Sequence, residues 1–129
     1  MQQKATDFYQ RTRQKTAPPR ELEAGLLLLA AAHLQSAIAS GFDPGDPAKG
    51  QALARAMTFN CKIWTILATC AMRADSALPQ QVRQELAELG LFVIGRTANL
   101  LQDFVNSAVT ESVAVLIEIN RTIASGLRA

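Results

Sequence analysis

The chain has 129 residues, of which 49% are hydrophobic and 19% charged, with a net charge of +2. That balance suits one globular domain and excludes a disordered chain. The longest apolar run covers only residues 24–32, against the roughly twenty residues a membrane span needs.

The charge is unevenly placed. Residues 1–20 carry Lys4, Arg11, Arg13, Lys15 and Arg20 against Asp7 alone, whereas acidic groups slightly outnumber basic ones in the remainder. A basic leader on a near-neutral body can touch RNA or an acidic surface; its plainer reading is a solvated terminus. The first seven residues lack the apolar segment of a signal peptide, so the expected location is cytoplasmic. Cys61 and Cys70 are the only cysteines. Within one helix they stand about 13 Å apart along the axis, too far for a disulfide, and read as small apolar core residues in a reducing compartment.

Alanine and leucine dominate, which favours helix over sheet. Residues 3–14 form a candidate short helix anchored by Phe8 and Tyr9, interrupted by Pro18 and Pro19. A long helix is predicted from Pro19 to about Ser40, with Glu21 and Glu23 near its positive end and Gly41 as its stop. Its apolar residues surround the axis, with Leu22, Leu26 and Leu29 on one side and Leu27, Leu34 and Ile38 on another, which marks a central helix. After a Pro- and Gly-rich loop, Asp46-Pro47 reads as the cap and first position of a third helix running to about Ala74. Its stripe is Leu53, Met57, Asn60, Trp64, Leu67 and Ala71, spaced by fours and threes.

Residues 75–79 form the next break. A fourth helix follows with Val82, Leu86, Leu89, Val93, Leu100 and Phe104, ending between Gln102 and Ser107. Gly90 and Gly95 inside it each cost up to about 1 kcal/mol against Ala, so close helix packing is expected there. A fifth helix carries Val109, Val113, Leu116, Asn120, Ile123 and Leu127. Strand signals and internal repeats are absent. The expected fold is an all-α, antiparallel helical bundle of four long helices plus a short N-terminal helix. It forms one domain over residues 1–129, with a basic leader at 1–16 and the bundle at 17–127.

Catalytic patterns are missing. His33 is the only histidine and falls on the Leu22, Leu26, Leu29 stripe, where it reads as a hydrogen-bonded core or boundary residue. There is no His or Cys pair at metal-ligand spacing, no Glu-x-x-His pair, no phosphate loop and no serine elbow. The expectation is a protein that is no enzyme, takes no cofactor or metal, and works by binding another protein. Asn60 and Asn120 each break an apolar stripe. Either they pair inside the protein, or they line a groove and fix the register of a bound peptide. Trp64 likewise reads as a core anchor or an interface anchor. Under the groove reading the partner-binding residues are Asn60, Trp64, Leu67, Leu116, Asn120 and Ile123.

Several segments, taken in order, resemble the alphaproteobacterial family of flagellar biosynthesis regulators called FlaF. They are Ala17-Pro18-Pro19-Arg20-Glu21-Leu22-Glu23-Ala24, Asn60-Cys61-Lys62-Ile63-Trp64-Thr65-Ile66-Leu67, and Ala77-Leu78-Pro79 followed by Leu86-Ala87-Glu88-Leu89-Gly90-Leu91-Phe92-Val93. The last is Leu116-Ile117-Glu118-Ile119-Asn120-Arg121-Thr122-Ile123-Ala124-Ser125-Gly126-Leu127. Residues 97–112 are more apolar than the charged stretch of that family. The resemblance implies a regulator of flagellin synthesis or export that binds flagellin in the manner of a chaperone, or binds FlbT, a regulator of flagellin messenger RNA, or both. The competing expectation is a direct RNA binder using the basic leader. Few aromatic residues lie near those charges for base stacking, which counts against it.

Overall fold

The computed structural model describes residues 19–39, 41–102 and 108–128. Four helices form: α1 (Pro19–Ile38), α2 (Pro47–Ala71), α3 (Gln80–Gln102) and α4 (Val109–Arg128). No strand occurs among the described residues. The candidate short helix at 3–14, and Phe104, Asn106 and Ser107 at the end of the fourth predicted helix, lie outside them.

The boundaries follow local chemistry. Gly41 adopts φ +83 and its N–H reaches Ile38 O at 3.1 Å, closing α1 in a conformation that favours glycine. Asp46 caps α2: its carboxylate accepts from Ala48 N at 3.0 Å, and Pro47 fills the first helical position, where no N–H is needed. α2 stops at Ala71, three residues before the predicted Ala74. There Arg73 N bonds Cys70 O at 3.2 Å and Ser76 N bonds Arg73 O at 3.1 Å, a sequence of tight turns in place of another helical turn. Arg73 pairs with Asp75 at 3.0 Å, and Arg83 of α3 donates to Arg73 O at 3.0 Å, fastening the turn to the next helix.

α1 packs on both α2 and α4, and α2 packs on α3. α1 and α2 thus share the middle of the series, each with two neighbours, and α1 is less enclosed than the all-round apolar composition suggests. Its buried face is Ala24, Leu27, Ala30, Ala31 and Leu34, while Leu22 and Leu26 are half-buried and Leu29 remains 46% exposed. His33, on that same side stripe, is exposed and leans its ring on Phe59 at 4.9 Å between centroids, so the core placement is corrected in favour of the boundary. The reason is that small residues set how close neighbours come: three alanines on the inner face let α2 and α4 approach there.

The stripe of α2 goes inside in full: Leu53, Met57, Asn60, Trp64, Leu67 and Ala71 are all buried. On α3, Leu86, Gly90, Val93, Thr97 and Leu100 are buried. Gly90 is where helices touch, since a Cβ there would stand 3.0 Å from Ala68 Cβ and 3.7 Å from Trp64 O. Gly95 has open space around it, so close packing explains only one of the two glycines.

Candidate functional site

Two features carry the functional argument. The first is a buried polar cluster that ties three helices together. Trp64 Nε1 donates to Asn120 Oδ1 at 2.9 Å, and Asn120 Nδ2 donates to Asn60 Oδ1 at 2.7 Å and to Leu27 O at 3.0 Å. The indole N–H can only donate, so it fixes which end of the Asn120 amide faces it; that in turn fixes Asn60. Leu27 O belongs to α1, Asn60 and Trp64 to α2, and Asn120 to α4. All three side chains are fully buried. Of the two placements open to the amides, the structure has the internal one. Asn60 Nδ2 is left buried without a partner.

Leu67 and Leu116 are buried in the same core. Five of the six residues expected to touch a partner, Asn60, Trp64, Leu67, Leu116 and Asn120, thus face one another or the core and line no surface groove. A stripe interrupted by an amide has the same spacing in both cases, and the internal pairing prevails because each amide finds the other. Ile123, half-buried, is the sixth and stands elsewhere.

The second feature is a half-open apolar groove of about 320 Å³ between the start of α3 and the end of α4. Leu78, Pro79, Val82, Leu86 and Leu89 form one wall, and Ile123, Gly126 and Leu127 the other. Glu85 and Thr122 supply its polar groups. The groove exists because α3 packs chiefly on α2 and α4 chiefly on α1, which leaves the two helices apart. Val82 and Leu89 were expected as ordinary stripe positions and Ile123 as a partner-binding one, and nothing in their spacing distinguishes a groove wall from a core.

The profile of the flagellar protein FlaF family matches residues 5–127, nearly the whole chain. The chain belongs to the FlaF family. No curated protein and no solved structure matches it. FlaF membership gives the chain a flagellar role and agrees with the segments from Ala17 to Leu127 that carry the resemblance.

No group of three or more His, Cys, Asp or Glu that could hold a metal ion occurs among the described residues, and no described helix is long and apolar enough to cross a membrane. Neither Cys61 nor Cys70 forms a disulfide. Burial pushes the Cys61 thiol up, partly offset by the Thr65 hydroxyl beside it.

Proposed function

We propose that this FlaF-family protein is a non-catalytic regulator of flagellin synthesis or export, acting in the cytoplasm. It holds a terminal segment of flagellin in the groove between α3 and α4. The observation that carries this reading is the groove itself: aliphatic walls of two helices left apart, with the polar side chains of Glu85 and Thr122 among them. Such a site suits an amphipathic segment that orders as a helix on binding and anchors at spacings of three and four. Ordering the segment costs free energy and keeps the complex reversible, as a handover to export requires. Ile123 touches the partner directly. Asn60, Trp64, Leu67, Leu116 and Asn120 act from inside by fixing the helices that shape the wall. We read the helices as an antiparallel bundle, on the pairings of Glu21 with Arg128 and of Arg73 with Arg83.

The test is a titration of the wild-type protein and of the Val82→Glu and Ile123→Glu variants with flagellin and, separately, with FlbT. Both variants keep a cooperative melt and bind flagellin at least about tenfold more weakly, a loss of 1.4 kcal/mol. Loss of FlbT affinity alone would make FlbT the groove's partner. Affinity for flagellin unchanged in both variants would refute the groove. Binding to flagellin messenger RNA that falls steeply with salt, and disappears when Arg11, Arg13 and Lys15 are neutralised, would replace it with the RNA reading.

A further inference from the structure

Two helices carry opposite charges on outer faces of matching spacing. α2 carries Lys49, Arg55 and Lys62 and no acidic residue. Arg55, Phe59 and Lys62 follow at spacings of four and three, which puts them on one side of the helix. Arg55 and Phe59 line a shallow groove of about 380 Å³ together with His33 and Ser36 of α1. α4 carries the complement at the same spacing: Glu111, Val115 and Glu118, all exposed, with Val115 at 47%. This side of α4 is opposite to Val113, Leu116, Asn120 and Ala124, which face the core. None of Arg55, Lys62, Glu111 and Glu118 forms an ion pair among the described residues.

We propose that the chain self-associates head to tail, with the Arg55-Phe59-Lys62 face of one copy receiving the Glu111-Val115-Glu118 face of the next. Each triad spans about 10.5 Å along its helix. A cation, a ring and a cation therefore meet an anion, an aliphatic side chain and an anion in register, whichever way the helices run. The two faces differ, so the contact is heterologous and builds a ring or an open chain, not an isologous dimer. Its small size places it among weak, reversible interfaces. It is independent of the groove between α3 and α4.

The experiment is sedimentation velocity on the full chain over a range of concentration and salt. The wild type gains mass with concentration at low salt and returns to monomer at ~1 M salt, where the screening length is about 3 Å. Arg55→Glu with Lys62→Glu, and separately Glu111→Lys with Glu118→Lys, each give a monomer whose melt is unchanged, since all four residues are exposed or at the rim. An equimolar mixture of the two variants associates again, through one native and one reversed pairing. A wild type that stays monomeric at low salt and high concentration would overturn the proposal. So would association that survives both sets of substitutions, and if it then disappeared with Leu91→Glu it would belong to the outer face of α3, where Leu91 is 74% exposed.

Discussion

The inner face of α4 is built on two principles. On the side turned to α1 and α2, Asn120 makes three hydrogen bonds, and the helix is held at one rotation and one height. One and two turns further along the same stripe, where the face turns to α3, Ile123 and Leu127 line a groove with Leu86 and Leu89 and meet them by apolar contact alone. Both sides use the same apolar residue types. What separates them is direction: burial of apolar area is indifferent to small rotations, whereas an amide inside a core is satisfied at only one setting. The closed side is fixed by polar bonds, and the open side is not.

Removing the indole should do the most damage. Trp64→Ala deletes the largest fully buried side chain together with the donor to Asn120, and should cost about 3–5 kcal/mol, read from the urea midpoint. A cost under about 1 kcal/mol would mean that the closed side is not closed in solution. Asn120→Ala comes next. It strands the Trp64 N–H and the Asn60 carbonyl, each worth about 1–3 kcal/mol when buried and unpaired, for an expected loss of about 2–4 kcal/mol. Asn60→Ala should cost only about 1 kcal/mol, because Asn120 Nδ2 keeps Leu27 O. A double-mutant cycle on the two amides then gives their coupling. Equal losses at both positions would contradict the ordering drawn from the bonds.

The closed side was largely legible in the sequence. The stripe from Leu53 to Ala71 announces its face by spacing alone, and two amides on two stripes are a strong hint of pairing. Their internal placement was still one of two options, because spacing fixes a side of a helix but not what faces it. α1 was harder. Leucines surround its axis, so periodicity cannot choose a face, and the choice falls to Ala24, Ala30 and Ala31, whose small size decides close approach. For His33 the spacing left core and boundary both open, and the structure has the boundary. The groove as such was not legible: Ile123 was expected to meet a partner, but beside Asn60 and Trp64, and Val82 and Leu89 are apolar at helical spacing, as core residues are, so only the separation of α3 from α4 makes the three a wall.

The way α3 attaches can be broken more gently. Gly90→Ala puts a methyl 3.0 Å from Ala68 Cβ, an atom that cannot move without its helix. The helix propensity gained is up to about 1 kcal/mol, and overpacking costs about 1–3 kcal/mol, so the net effect is a loss of about 1 kcal/mol. Ala68→Gly in the same chain should relieve the clash, although the new glycine forfeits some helix propensity. Gly95→Ala is the control, because open space surrounds it; it should stabilise by about 0.5–1 kcal/mol. Thermal melts of the three variants settle the contrast, and a stabilising Gly90→Ala would show that α3 is free to shift.

The smallest expected effect tests whether every buried polar group on this scaffold acts as the amides do. Thr97 is buried on the inner face of α3, one turn from Val93 and Leu100, and its hydroxyl has no hydrogen-bond partner. It makes no bond to another helix and so specifies no register. Val has nearly the same shape and the same branching at Cβ, so Thr97→Val leaves packing and rotamer unchanged and removes only a buried, unpaired hydroxyl. Removing such a group without leaving another stranded is neutral or favourable, and the expected gain is up to about 1 kcal/mol in the urea midpoint. Flagellin affinity should not change, since Thr97 is not among the residues lining the groove. A loss of 1 kcal/mol or more would show that the hydroxyl has a role in the core, and that α3 too is positioned by a directional bond rather than by the close approach at Gly90.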